Sequence, residues 1–298
     1  MSLESGFDSL TPPEVALKTQ GIGVKKAGNS TISLISLSLL AGIFIALGAV
    51  FATIVFSESL IIQSPGGNGI YSTALPYGLT RLLGGLVFCT GLAMVLVGGG
   101  ELFTGNMLMV IAWMQHQITF RSLLRNWVIV YAGNFLGSIL IAGLVFLGNT
   151  HMNGGGAFGL TALNIAKTKA GLDFFSAFFS GVLCNLLVCM AVWMSYSART
   201  TGGKIAAILL PISAFVAAGF EHSVANMYFL PMGLLIKDFA PLSFWSLIGK
   251  TTLDFSSLTW EAFFIHNLLP VTLGNIFGGA ILVGWMYWVA YLRKAIGK

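Results

Sequence analysis

Four long stretches of the chain, residues 32–56, 127–148, 174–195 and 267–291, contain no charged residue, and each is long enough to cross a bilayer as a helix. Two further runs, 82–114 and 205–236, are equally apolar except for Glu101 in one and Glu221 with His222 in the other. A polar break inside such a run predicts a helix interrupted near its middle, because irregular backbone is tolerated at membrane depth only where protein or a water-filled cavity covers it. The pattern predicts an all-α integral membrane protein with six crossings, the second and fifth broken.

The two breaks read as copies of one another. GELFTGNM spans residues 100–107 and GFEHSVANM spans 219–227; in each, a glutamate stands five residues before an Asn-Met pair, Glu101 before Asn106 and Glu221 before Asn226. The likeness extends to GNFLG at 133–137 and GNIFGG at 274–279, and more loosely to AGIFIALGAVF in the first span and SGVLCNLLVCMAV in the fourth. Each half then holds three spans, and an odd number inserts the second half upside down relative to the first. Inverted repeats should meet at a pseudo-two-fold axis in the membrane plane, with the broken helices at its centre. Gly133 with Gly137 and Gly274 with Gly278 have the four-residue spacing that lets helices touch backbone to backbone. Packing inside the protomer is favoured for them over a subunit interface.

Composition agrees: 56% of residues are hydrophobic and 8% charged, too apolar for a soluble core of this length to hide. In a six-span arrangement Lys18, Lys25, Lys26, Arg121, Arg125, Arg199, Lys204, Arg293, Lys294 and Lys298 fall on one face. The other face holds Arg81, Lys167, Lys169, Lys237 and Lys250, offset by Asp173, Asp238, Asp254 and Glu261. Retention of cations on the cytoplasmic side then puts both termini in the cytoplasm. The net charge of +5 follows from this asymmetry and requires no nucleic-acid partner.

Residues 1–31 are polar and lack the apolar core of a signal peptide, so they are expected to form a cytoplasmic segment ahead of a membrane domain at 32–293, with 294–298 as a cytoplasmic tail. Thr11-Pro12-Pro13-Glu14 is a helix start, with a capping threonine, prolines in the first turn and a glutamate three residues after the cap. The helix it opens runs toward Lys25 and Lys26, and either lies on anionic lipid as an amphipathic helix or sits beneath the cytoplasmic mouth. The connection 149–173 should join the halves on the outer side, with a short helix around 161–169. Cys89, Cys184 and Cys189 all fall in spans at spacings that suggest neither metal nor redox work, and they are assigned no role. No metal and no cofactor is expected.

An ionised carboxylate in hydrocarbon costs roughly 3 kcal/mol on insertion scales, so Glu101 and Glu221 must face protein or water. The favoured reading is structural: each accepts from the backbone N–H groups freed at the start of the following half-helix and supports the break. Two fixed carboxylates would spoil a site for anions. A lone histidine in an apolar span is usually a satisfied structural group. His222 is read instead as functional, because it sits at the break while the matching residue of the first half, Leu102, is apolar. An imidazole donates to an anion when neutral and lends a proton when charged. Thr104 supplies a hydroxyl from the other half.

Taken together, GELFTG, the AGNFLG span, NLLVCMAVWMSYSAR, AAGFEHSVANMYFLPMG and LLPVTLGNIFGG resemble the formate/nitrite transporter family, most closely its formate channels, from about residue 26 to residue 293. The resemblance implies homopentamers of six-span protomers with an aquaporin-like fold in the cell inner membrane, each protomer with its own pore. It also implies passage of small monovalent anions, formate first, with nitrite, hydrosulfide and lactate as alternatives. Residue by residue, the family's central histidine corresponds to His222, its loop threonine to Thr104, the polar residue of the fourth span to Asn185, and the lysine ending the amino-terminal helix to Lys26. Its apolar constrictions correspond to Phe88, Leu92 and Phe215, with Val188 beside them. The Asn-Pro-Ala breaks of aquaporins proper do not occur here. An enzyme is the rival class, but the spans contain no HExxH, no GxSxG and no paired catalytic carboxylates on one helix face. A proton-coupled secondary transporter is a nearer rival, since inverted repeats and broken helices serve both.

Overall fold

In the computed structural model, the described residues are 9–57, 60–63, 70–73 and 75–293. Helix α1 (Pro12–Ala27) starts as its sequence predicts, with Thr11 N–H donating to Glu14 Oε2 at 2.8 Å. Of its two expected placements, it takes the one under a mouth of the bundle. Val15 and Ala16 are buried with Ile111, Trp193 and Leu292, and Leu10 N–H donates to Ser197 O at 3.0 Å. Gln115 Nε2 also reaches Leu292 O, so the ends of the second, fourth and sixth crossings gather around α1 on one side. An even number of crossings requires this.

The six crossings are α2 (Thr31–Ser57), a broken span, α5 (Phe120–Leu147), α7 (Phe174–Ser197), a second broken span and α11 (Ala262–Tyr291). The first broken span runs as α3 (Tyr77–Gly98), a loop, a 3-10 turn (Gly105–Met109) and the short α4 (Val110–Met114). The second runs as α8 (Thr201–Ala218), a loop and α9 (Ser223–Phe239). Both first half-helices end on a glycine in the left-handed conformation, Gly99 (φ 87°) and Gly219 (φ 77°), which lets the chain turn off the helix axis without a Cβ clash. The breaks thus fall where the duplicated motifs predict. The third and sixth spans start earlier than their uncharged stretches suggest, because α5 takes in Arg121 and Arg125 and α11 takes in His266 in its opening turns. Two segments of α11, Ala262–Leu268 and Phe277–Trp285, are wound as π-helix.

The glycine pairs pack within the protomer. A Cβ on Gly133 or Gly137 would land on Ser38 or the Leu39 carbonyl of α2, and one on Gly274 or Gly278 on the Phe178 or Val182 carbonyl of α7. In each half, then, the third span lies backbone to backbone against the first. The helix expected around 161–169 in the connection between halves is present and longer: α6 (Ala157–Ala170) has 14 residues and begins directly after three positive-φ glycines, Gly154, Gly155 and Gly156. The glycine-rich lead-in hides the start of the helix in the sequence. Gly159 in its first turn is demanded by packing, as a Cβ there would strike Phe244 and the His151 carbonyl. Farther along the chain, α10 (Leu242–Ile248) lies in the connection between the fifth and sixth crossings.

One small non-helical element was not expected from the sequence. The strands β1 (Leu60–Gln63) and β2 (Ile70–Thr73) pair antiparallel, Leu60 opposite Thr73. Their Ile- and Tyr-bearing runs favour a strand and are far too short to cross a membrane. Lys294 and Lys298, part of the expected cytoplasmic charge, lie outside the described residues, as does the expected tail at 294–298.

Candidate functional site

The two breaks meet at a single contact, Thr104 Oγ1 to His222 Nε2 at 3.0 Å, with both side chains buried. His222 is also the cap of α9, its Nδ1 accepting the Ala225 N–H at 3.0 Å. A ring nitrogen that accepts a backbone N–H carries no proton, so the ring proton is on Nε2 and is donated to Thr104 Oγ1. The Thr104 hydroxyl proton is thereby left free to be donated elsewhere. On the other side of Thr104, its carbonyl accepts from Asn185 Nδ2 at 3.2 Å and lies 3.3 Å from Cys189 Sγ. Asn185 Nδ2 also donates to Asn275 O at 2.6 Å, so this amide ties the first break to α11, whose Asn275 side chain in turn bonds the second.

The breaks are braced by side chains, not as the sequence reading expected. Glu101 and Glu221 accept from asparagine amides and lysines in place of the freed backbone N–H groups. Glu101 Oε2 takes Lys26 Nζ at 2.8 Å and Asn106 Nδ2 at 2.7 Å; Glu221 takes Lys169 Nζ at 2.7 Å on one oxygen and Asn226 Nδ2 at 2.7 Å on the other. The backbone donors go to the asparagines of the GN repeat. Asn134 Oδ1 accepts Phe103 N–H and Asn275 Oδ1 accepts Ser223 N–H, both at 2.9 Å. Their amides in turn donate to the Glu101 and Glu221 carbonyls. An uncharged carboxamide has an acceptor and donors together and so satisfies a broken backbone on both sides, which a carboxylate does not.

The agreement between halves runs further. Asn126 Oδ1 accepts from Asn106 and Asn267 Oδ1 from Asn226, while Asn126 Nδ2 donates to the Lys26 carbonyl and Asn267 Nδ2 to the Lys169 carbonyl. Helices α1 and α6 are therefore counterparts, each delivering a lysine to the glutamate of its half. Lys26 stands out in the sequence, whereas Lys169, Asn126, Asn134, Asn267 and Asn275 take functional places that were not expected of them. The repeated Gly-Asn pair was a usable signal for Asn134 and Asn275. Asn126 and Asn267 each stand eight residues before the asparagine of that pair, a repeated spacing, and Lys169 alone of the five has no such mark.

On the side away from α1 a cavity of about 360 Å³ reaches inward past Arg81, Lys169, Phe88 and Phe215 to His222. Phe88 and Phe215 meet edge to face with ring centroids 5.6 Å apart, and Phe215 stacks on the His222 ring at 5.8 Å. Leu92 and Val188 are fully buried deeper in the bundle and are not part of this cavity wall. On the α1 side the space beside Lys26 shrinks to about 10 Å³ between Thr19, Ile22, Leu108, Met109 and Tyr196. Lys26 bonds Glu101 and Asn106 rather than the central pair. Among the described residues no group of three or more histidine, cysteine or acidic side chains is placed to hold a metal.

Six apolar crossings in two inverted halves, with a polar contact where the breaks meet, define a multi-pass membrane protein of the transport type. Residues 13–289 match the sequence model of the family described as Formate/nitrite transporter, and the chain belongs to that family. It is 41% identical over 294 residues to "Formate channel FocA" of Escherichia coli (strain K12), covering 99% of each chain. It is 40% identical over 276 residues to "Formate channel FocA" of Haemophilus influenzae, covering 93% of each. Among solved structures, "Pentameric formate channel with formate bound" superposes with a TM-score of 0.76 at 39% identity, over 88% of this chain and 98% of that one.

Proposed function

We propose that this protein passes small monovalent anions, formate foremost, across the cytoplasmic membrane, as a homopentamer in which every protomer carries its own pathway and both termini are cytoplasmic. On this reading residues 1–31 form a cytoplasmic segment and 32–293 the channel. The relatives named as formate channels, and the pentameric structure with formate bound, support it.

The observation that carries it is the bond between His222 and Thr104. An anion that leaves water in an apolar slit loses hydration that must be replaced. A hydroxyl whose oxygen is already engaged by the ring donor, and whose proton is free, replaces part of it without a fixed charge that would trap the anion. Arg81 at the mouth, the cation there with no carboxylate partner among the described residues, collects anions toward the cavity, and the phenylalanine pair excludes larger solutes. Leu92 and Val188 continue the apolar pathway, and Asn185 keeps Thr104 in place.

The same bond bears on proton involvement. A neutral His222 that gave up its Nε2 proton would be left as an imidazolate, and one protonated at Nδ1 must first release the Ala225 N–H. The arrangement favours hydrogen-bond stabilisation of the bare anion over proton transfer from the ring. Formate flux into liposomes tests this. Thr104→Val should cut flux about tenfold or more, the value of one hydrogen bond to a charged group, and Thr104→Ser should retain it. His222→Asn keeps both an acceptor for Ala225 and a donor for Thr104, so flux should persist as an electrical current. Flux lost in that variant, or flux that follows an imposed proton gradient without current, would establish the proton-coupled alternative.

A further inference from the structure

Arg81 lies two helical turns before Phe88 on α3, so their side chains share a face. Its guanidinium is held from three directions. Nη2 donates to the Val216 carbonyl, Nε donates to the Ala217 carbonyl at 3.3 Å, and the central carbon lies 4.7 Å over the Phe56 ring of α2. Val216 and Ala217 belong to the last turn of α8, at the negative end of the helix dipole, where the Val216 carbonyl also accepts the capping Gly219 N–H. The residue before them is Phe215.

The break does not by itself require this arginine. Twenty residues before each break glutamate stand Arg81 in one half and Thr201 in the other, although both half-helices end on the same left-handed glycine. The two positions differ in what they reach: Arg81 stands two turns from Phe88 and bonds the turn beside Phe215 on another helix, whereas Thr201 stands about four turns from Phe215 at the far end of α8 itself. Phe215 is carried by the turn that Arg81 holds, and its ring is wedged between Phe88 and His222.

We infer that Arg81 is a selectivity-setting residue: by clamping the end of α8 to α3 and α2 it fixes the gap between Phe88 and Phe215, and with it the size of anion that passes. The inference rests on the constriction assigned above to Phe88 and Phe215. Two hydrogen bonds from a rigid planar fork fix direction as well as distance, which a flexible ammonium does not do. Removing the fork leaves Val216 at the wall of the outer cavity, where water can replace it, so the helix end survives but is no longer fixed.

The test is the ratio of acetate to formate permeability in liposomes containing the full-length protein, with oligomeric state and melting temperature measured in parallel. A general loss of positive charge slows both anions and leaves the ratio alone. Arg81→Gln should raise the ratio by about fivefold, somewhat less than the tenfold or more of a whole charge-assisted hydrogen bond, and Arg81→Lys should restore part of it. Phe56→Leu retains the charge but removes the ring beneath it, and should shift the ratio in the same direction by a smaller factor. It serves as the deciding variant if Arg81→Gln fails to assemble. Phe88→Ala is the control for the constriction. If it widens selectivity while the Arg81 and Phe56 variants leave the ratio within about twofold and change only melting temperature, Arg81 is structural and the inference fails. If Phe88→Ala itself leaves the ratio unchanged, the constriction is misassigned and the role of Arg81 falls with it.

Discussion

Lys26 and Lys169 stand at matching places, each near the carboxyl end of a helix that leads into a repeat and each bonded to the glutamate of its break. Their surroundings differ. Lys26 bonds Asn106 Oδ1 as well as Glu101, beside a space of only about 10 Å³ under α1. Lys169 bonds Glu221 and leaves the matching atom, Asn226 Oδ1, without a hydrogen-bond partner, at the edge of the 360 Å³ cavity. The same motif thus builds the same brace twice. Whether the mouth beside it is open is decided by the helix that covers it.

The largest effect should come from breaking either brace. Removing one partner of a buried, hydrogen-bonded ion pair costs about 3–5 kcal/mol, so Glu101→Ala and Glu221→Ala should both abolish assembly or lower the melting temperature steeply. The Gln variants should be milder, because an amide oxygen still accepts from Asn106 or Asn226. Thermal unfolding of the four variants measures this, and Gln as damaging as Ala in one half alone would mean that the two braces are not equivalent.

Next in size are Asn134→Ala and Asn275→Ala. Each orphans one backbone N–H and the glutamate carbonyl at a buried break, at about 1–3 kcal/mol per group, and removes a bond to a mid-helix carbonyl of the neighbouring span. Equal losses are expected, since the partners match atom for atom. A difference beyond about 1 kcal/mol between them, well outside ordinary scatter, would show that one break depends on its cap and the other does not. His222, which caps only the second, is then the candidate cause.

The contrast between mouths is tested by a chain starting near Gly28, which lacks α1. Formate flux should change in rate or direction while permeability ratios among formate, nitrite and acetate stay the same. Altered ratios in an intact oligomer would place part of the filter in α1. A smaller change with the same logic is Gly23→Val, because even a Cβ at Gly23 would come within 2.8 Å of Ala112 Cβ and push α1 off the mouth.

The smallest expected effect concerns His151, outside the spans, buried between Phe146 and Phe244 with neither ring nitrogen hydrogen-bonded. Burial pushes its pKa below the ordinary histidine value. The unfolded chain therefore binds the proton more readily, so the stability held by the neutral ring is present above about pH 6.5 and declines as pH falls below it. His151→Phe should flatten that part of the pH–melting curve. A curve that keeps its slope would assign the acid sensitivity to another group.

Much of the architecture was legible in the sequence because lipid leaves so few choices: uncharged runs must be helices, and a glutamate inside one must be a break. The duplicated motifs located both breaks and singled out Thr104 and His222, which do meet. Three things were hidden. The lead-in helices α1 and α6 are counterparts without visible similarity, since their common feature is one lysine and the place it reaches. Of the polar partners of the glutamates, Asn106 and Asn226 stand in the repeated motifs, but the lysines come from separate helices, so no local spacing announces them. Arg81 looked like an ordinary flanking cation, because the carbonyls it holds are distant in the chain and any residue type supplies them.

The sequence by itself determined the number of crossings, the inversion of the halves and the position of the breaks, since these follow from hydropathy, parity and repetition along the chain. Only the tertiary structure decided which side chain satisfies which broken backbone group, which ring nitrogen of His222 carries the proton, and which end of the bundle α1 packs beneath. Those depend on groups brought within about 3 Å of one another from different helices, and hydrogen bonding at that range is a property of packing that linear order does not encode.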